Sequence, residues 1–352
     1  LRRQRQMCIR DRDYGLFNNR LTGSFDYFVR FTEGMVGPSA ELPATLGIST
    51  PSSNNSDLRT KGWEVSIGWK DRLKNGLGYG INLSLSDQIT MIDSYPDNKT
   101  LSIDSYLPGY KDGLIWGYET IGIAKSDEEM QAHLASLPKG GQDAVGSQWA
   151  AGDIMYKDLN GDGKISEGAR TLGDHGDLKI LGDTYSHYFF GIDLNADWKG
   201  FDFRAFFQGV LKHDYWGSGN FTGMLFGVRG GYSRWHTRGF KQHEDYFRAE
   251  PAGLEGHELP ANLDSYYPRP IFSDSSDGTS FGAKNQKVQS RYVQDASYIR
   301  LKNLQFGYTL PAKFTNKFGI NRLRIFVSGE NVWTGTGSVS YTHLTLPTKL
   351  EV

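Results

Sequence analysis

The sequence predicts an all-β protein, a transmembrane antiparallel β-barrel with long extracellular loops. Three observations predict it. Apolar and polar residues alternate with period two over long stretches. Aromatics make up 13% of the chain and lie towards the ends of those stretches. Very short turns alternate with very long connections, the asymmetry of outer-membrane barrels.

The first strand signal runs from Ser24 to Thr32, where Phe25, Tyr27, Val29 and Phe31 share one face. From Gly62, the residues Trp63, Val65, Ile67 and Trp69 alternate with Glu64, Ser66, Gly68 and Lys70. The Asn75-Gly76 pair then favours a tight turn. Tyr79, Ile81, Leu83 and Leu85 follow, opposite Gly80, Asn82, Ser84 and Ser86, which completes a hairpin. A second hairpin sets Tyr188, Phe190, Ile192, Leu194, Ala196 and Trp198 on one face and turns at Lys199-Gly200. It returns through Phe201, Phe203, Ala205 and Phe207. Two late strands are expected, one from about Tyr298 to Leu310 and one carrying Leu323, Ile325 and Val327. Strands of about nine to eleven residues suffice to cross a bilayer at a tilt. Trp63, Trp69, Trp198 and Tyr308 read as interfacial girdle residues at strand ends.

Between the hairpins, Met91–Leu114, Gly140–Asp183 and Lys212–Gln294 read as long polar loops. One small helix is expected, opened by the capping box Ser126-Asp-Glu-Glu129, with Met130, Leu134 and Leu137 at helical spacing.

Composition narrows the function classes. Net charge is −1 and no basic patch stands out, which argues against nucleic acid as a partner. The single cysteine, Cys8, excludes a disulfide within the chain and a cysteine-ligated metal. A mean hydropathy of −0.51 is compatible with a barrel, because the lumen-facing half of each strand is polar. No apolar run is long enough for a transmembrane helix. No secretion signal opens the chain, so an outer-membrane protein with this sequence is expected to lack its natural start. Residues 1–12 (LRRQRQMCIRDR) and 338–352 (SVSYTHLTLPTKLEV) resemble translated sequencing-adapter read-through. They are set apart, leaving residues 13–337 as the barrel segment.

Several segments together resemble the SusC/RagA family of TonB-linked outer-membrane receptors. They are IWGYETIGIAKSDEEMQAHL (Ile115–Leu134), GDIMYKDLNGDGKIS (Gly152–Ser166), YFFGIDLNADWKGFDFRAFFQGV (Tyr188–Val210), SYIRLKNLQFGYTLP (Ser297–Pro311) and LRIFVSGENVWT (Leu323–Thr334). The resemblance runs in order from Tyr14 to Thr334. It implies a barrel of about 22 strands around an N-terminal plug, of which this C-terminal segment supplies about eight to twelve. It further implies a SusD-like lipoprotein lid, TonB as the energy-coupling partner through the N-terminal region, and oligosaccharide or peptide as cargo. A transporter makes and breaks no bond, so no catalytic residue and no obligatory cofactor are expected.

Two residue sets are candidate sites. Asp158, Asn160 and Asp162, with the Lys164 carbonyl, occupy alternate positions of an EF-hand-like loop, and Gly163 makes its sharp turn. That spacing wraps oxygen donors around a hard cation and suggests a structural Ca2+. The twelfth position, where a carboxylate is wanted, is Ala169, so Glu167 or Asp174 would have to substitute. The alternative is an Asx-rich turn that needs no ion. The second set is aromatic: Trp149, Trp216, Trp235, Tyr266 and Tyr267 lie in polar, glycine-rich loops. Flat exposed rings suit a ligand-facing surface, and packing within the loops is the competing use. The histidines have no metal-ligand spacing, and no nucleophile elbow is present. The rival to the barrel is a soluble, calcium-dependent β-sandwich that binds glycans. There the apolar rows would be buried between two sheets.

Overall fold

The computed structural model describes residues 6–37, 53–217, 241–271 and 284–337. Fourteen strands form among them. Eight build one large antiparallel sheet: β1 (Gln6–Leu16), β2 (Leu21–Gly37), β3 (Ser53–Arg72), β4 (Gly78–Ser94), β9 (His187–Trp198), β10 (Phe201–Lys212), β13 (Tyr298–Thr309) and β14 (Arg324–Thr336). They pair in that order. β1 and β14 are its margins, and the sheet does not close on itself. The other six form three two-stranded ribbons in the long connections. β5 (Leu114–Tyr118) pairs with β8 (Leu178–Asp183), β6 (Thr120–Ile123) with β7 (Ile154–Tyr156), and β11 (Asp214–Tyr215) with β12 (Gln294–Asp295).

The expected hairpins are present. At Lys199-Gly200 both turn residues take positive φ, 48° and 91°, the two-residue geometry that matches strand twist. A Cβ on Gly200 would lie 2.8 Å from the Thr309 carbonyl oxygen, so the neighbouring strand also demands glycine there. At the first turn only Gly76 has positive φ, 88°, and Leu73 and Leu77 close the loop.

Register carries the period-two pattern across the whole sheet. One row runs Ile67–Leu83–Ile192–Phe207–Leu301–Trp333 across six strands. Its neighbours run Phe25–Val65–Leu85–Phe190 and Leu21–Trp69–Ile81–Leu194–Ala205–Leu304. No second large sheet covers this apolar face among the described residues. Phe25, Ile67, Leu83, Phe203 and Phe306 are exposed, and Val327 reaches 75% exposure. A sandwich would have buried them, so the soluble alternative fails on this point. The opposite face is polar. Ser24, Ser66 and Ser84 are in register there, and the Ser24 and Ser66 hydroxyls lie 2.8 Å apart.

Three expectations need correction. The strands are longer than nine to eleven residues: β3 has 20, and β2 and β4 have 17 each. Trp63 therefore sits within β3, opposite Tyr27 and Asp87, instead of at its end. Beyond it the same face turns charged, with Lys61 and an Arg59–Asp93 pair at 2.9 Å. The outermost turns of β3 and β4 thus lie outside an apolar layer. Third, the long polar connections carry more structure than the one expected helix. Their described residues fold into a body with its own core.

Residues 6–12 belong to β1, in register with β2. That register sets Arg12 beside Phe25 and Arg10 beside Tyr27, in the apolar row. Residues 338–352 lie outside the described residues. The expected helix forms as α1 (Asp127–Ala135) with Ser126 as its N-cap. Ser126 Oγ accepts from Glu129 N at 3.2 Å, while the Glu129 carboxylate reaches back to Lys125 N at 2.6 Å, one residue beyond the expected box. Among the described residues no helix is long and apolar enough to cross a membrane, which says nothing about crossing by strands.

Candidate functional site

The polar face of the large sheet is a wall of paired charges, assembled from strands far apart in sequence. Arg204 on β10 donates twice to Asp193 on β9, at 3.1 and 2.6 Å. Arg324 on β14 reaches across β13 to Asp202 on β10, at 2.9 and 2.5 Å. It crosses over Gly307, where a Cβ would meet both partners at 2.7 Å. Arg72 reaches Asp197 at 2.7 Å over Gly78 in the same manner. Opposite charges neutralise one another along the wall, so it presents hydrogen-bonding groups with little net field. Solvated pairs of this kind contribute only about 0–1 kcal/mol each to stability.

The short turns gather aromatics at one end of the sheet. Phe201 stacks near Tyr308, centroids 4.5 Å apart, and near Phe306 at 5.8 Å. Phe17 lies 6.3 Å from Trp69, whose indole N–H donates to the Tyr79 hydroxyl at 3.3 Å. Trp198 is exposed and donates to the Asn75 carbonyl at 3.3 Å. Trp63 stands six positions from Trp69 on the same face, about 20 Å along the strand. Two aromatic levels thus bound the apolar rows, as girdles bound a bilayer core.

At the other end the connections form a loop body. Its core joins Tyr118, Met130, Trp149, Tyr156, Tyr267 and Tyr292, with Ile154 and Ile165 among the fully buried side chains. Polar side chains go inside with them. Asp153 and Lys284 are both fully buried and pair at 2.7 Å. Lys284 also donates to the carbonyls of Ser147 and Gln148, at 2.9 and 2.7 Å. Arg269 and Asn285 complete the set around Asp153, each with an oxygen–nitrogen distance of 2.8–2.9 Å. Burial pushes the Lys284 ammonium down in pKa, and the Asp153 carboxylate opposes that. Gln142 satisfies the β6–β7 ribbon, donating to Ile154 O and accepting from Tyr156 N.

The aromatic candidates mostly belong to this core. Trp149 is 7% exposed, donates its N–H to Gly146 O and lies under the Lys284 ammonium at 4.7 Å. Tyr267 is buried, stacked on Tyr292 and edge-on to Tyr266 at 4.8 Å. Tyr266 and Trp216 pack on the core half-buried, so part of each remains accessible. Trp235 lies outside the described residues. The structure thus brings Trp149, Tyr266 and Tyr267 together, a grouping their sequence positions do not show.

The Asp158–Lys164 loop folds on its own hydrogen bonds. Both Asp158 oxygens accept, from Gly161 N and Gly163 N, at 2.7 and 2.9 Å. Asn160 Oδ1 accepts from Asp162 N and Asp162 Oδ1 from Lys164 N. Gly163 makes its turn at φ 81°. A further carboxylate closes the loop by hydrogen bonds. Glu167 pairs with Arg170, and Asp174 accepts from Ala169 N. The closing residue is Asp177, buried, accepting from Leu159 N and Ser166 N at 2.8 Å each. Burial pushes Asp177 up in pKa and the nearby Asp158 charge adds to that, while the backbone N–H donors pull it down. Among the described residues no group of three or more His, Cys, Asp or Glu side chains converges as an ion cage.

Where loop body meets wall, a cavity of about 360 Å3 opens between β4 and the start of β9. Lys111, Asp112, Tyr185, His187, Phe189 and His213 line it. Sequence reading did not group these residues as a site, because they come from three separate stretches.

With the architecture in view, the chain can be set against known proteins. No family model matches it. It is 29% identical over 337 residues to TonB-dependent receptor P3 of Formosa agariphila, covering 92% of this chain and 29% of that protein. It is 24% identical over 341 residues to TonB-dependent receptor P26 of the same organism. Among solved structures, the RagAB peptide transporter aligns over 95% of this chain and 32% of its own, with TM-score 0.63 and 17% identity. The RagAB peptide importer in its open-open state aligns with TM-score 0.58 and 18% identity. The chain spans about three tenths of the length of the curated relatives it matches. Nearly the whole chain is thus similar to part of these TonB-dependent receptors, and its fold matches a stretch of barrel wall with its loops in the RagAB structures.

Proposed function

We propose that this chain forms about eight strands of a barrel of about 22, which imports nutrients across the outer membrane under TonB control. The single observation that carries the reading is the apolar face left uncovered across the sheet, backed by a charge-paired polar face. Lipid covers the first and an aqueous lumen wets the second. A SusD-like lipoprotein would close over the loop body. TonB would act through the plug that the family carries elsewhere in its length. The cargo is a peptide or an oligosaccharide. The RagAB structures are of a peptide transporter, which favours the peptide arm.

Within the loop body, Trp216 and Tyr266 are the aromatic candidates with accessible faces, and the buried Trp149 and Tyr267 hold them in place. Trp235 stays with the proposed ligand-facing set by sequence position. The same proposal includes a structural Ca2+ at Asp158, Asn160, Asp162 and the Lys164 carbonyl, with Asp177 adjoining. Its support is the alternating oxygen donors Asp158, Asn160 and Asp162, together with the Asp158 charge acting on Asp177.

The test uses the full-length receptor. Its outer-membrane fraction should show heat-modifiable migration, and a deletion strain should lose growth on short peptides as sole nitrogen source. Normal growth on peptides but lost growth on a glycan would select the other cargo. Solubility without detergent would end the barrel reading. Calcium should raise the thermal stability of the purified receptor, and Asp158→Ala should erase that increment. Equal stability with calcium and with chelator would remove the ion from the proposal.

A further inference from the structure

The loop body is fastened to the wall through a buried histidine. β8 ends at Asp183 and β9 begins at His187, where Tyr188 interrupts the strand at φ 57°. His187 Nδ1 lies 2.7 Å from Asp87 Oδ1 on β4, and Nε2 lies 3.0 Å from Asp183 Oδ2. All three side chains are at most a tenth exposed. Asp87 Oδ1 also receives the Tyr188 N–H at 3.4 Å, and Asp183 Oδ1 receives the Tyr185 N–H at 2.9 Å. Among the described residues, the imidazole is the only side chain hydrogen-bonded to both carboxylates, one on the wall and one on the loop body.

We propose that His187 is a proton-operated clasp that seats the loop body on the barrel wall, closed when its ring is charged and loosened when it is neutral. An imidazolium has an N–H on each nitrogen and donates to both aspartates. A neutral ring has one N–H, so its other nitrogen turns a lone pair towards a buried carboxylate about 3 Å away. A buried acceptor that faces another acceptor forfeits its hydrogen bond and its desolvation is uncompensated. The seating is therefore complete at low pH and is lost as pH rises through the range in which the ring gives up its proton.

The other charged groups around the site do not replace the histidine. Asp214, on β11, accepts from Asp183 N at 3.1 Å and is 3.7 Å from Lys212, so its charge is already paired. Asp112 takes the Tyr185 hydroxyl at 2.7 Å. Lys111 and His213 face the adjoining cavity. Loosening the clasp would widen that cavity, because Asp183, Tyr185 and His187 are among its walls. The inference stands on this geometry and does not depend on the cargo or on TonB.

The test is amide hydrogen exchange on the full-length receptor in detergent at pH 6 and pH 9, corrected for intrinsic exchange. Amides of Leu178–Asp183 and Thr184 should lose protection by about tenfold or more at the higher pH, the equivalent of one pKa unit. Amides of β13 and β14 serve as the internal control and should not change. His187→Gln removes the titrating group and should abolish the difference. Asp183→Asn gives the neutral ring a donor to accept from, and should keep the β8 amides protected at both pH values. Equal protection in the unaltered receptor at the two pH values would overturn the clasp. So would an unchanged pH difference in Asp183→Asn, which decides the matter even where His187→Gln does not assemble.

Discussion

In the barrel wall, Phe203, Phe306 and Val327 point away from the protein and charged side chains reach across strands to one another. In the loop body the arrangement is inverted: Tyr156, Tyr292 and Met130 are fully buried and Lys284 and Asp153 go in with them. On the proposed reading, the wall would borrow its apolar solvent from the membrane, so its side chains need not fill an interior. The loop body stands in water and must build a core, yet its segments are polar and glycine-rich. It does so with aromatics and a satisfied ionic hub. The difference teaches that identical residue types mean opposite things on the two sides of the interfacial aromatics. An exposed Phe is at home in the wall and would be an error in the loop body.

The largest expected effect falls on the hub. Asp153→Ala leaves the Lys284 ammonium buried without a carboxylate, which costs about 3–5 kcal/mol. The loop body should become protease-sensitive while heat-modifiable migration of the barrel persists. Loss of both together would show that the two regions are one folding unit. Next is a charge on the apolar face. Leu83→Arg should cost roughly 2–4 kcal/mol in refolding into lipid vesicles, whereas Ser84→Arg, one position along on the polar face, should cost far less. Equal costs would contradict the assignment of faces. Ser126→Ala removes the helix cap and should lower loop-body stability by about 1 kcal/mol, seen as a shift in its melting transition alone.

A pH prediction follows from Asp177. Its folded-state pKa is raised, so the folded loop binds the proton more tightly than the unfolded chain does. Loop stability should therefore grow as pH falls from neutral towards the ordinary carboxylate range, and decline as pH rises through the raised value. Asp177→Asn should flatten that profile in calcium-free buffer. A profile of the opposite slope would mean that the backbone donors outweigh burial there. The smallest effect is expected at Asp202→Asn, which breaks the solvated pair with Arg324 and should change stability by no more than about 1 kcal/mol.

The wall was legible because its physics is local. Alternation along one strand and glycine at a turn specify β3, β4, β9 and β10 without knowledge of their neighbours. The outer part of β3 was missed because Ser53–Lys61 is polar apart from Leu58, and no alternation survives there. The loop body was legible only at α1, where cap and spacing are again local. Its hub was not, since Asp153 and Lys284 are separated by 131 residues and a buried lysine carries no sequence mark. Asp177 was overlooked for a related reason. The loop it closes was judged by the spacing of a continuous motif, and the chain instead returns from eleven residues beyond Ser166.

The length of β3 has a consequence for how cargo is met. From Trp63 to Ser53 the strand continues for ten residues beyond the upper aromatic level, about 33 Å along its axis. On the proposed reading, β2, β3 and β4 would form part of a collar that stands clear of the lipid surface. A ligand held there would be met away from the membrane plane before it descends to it.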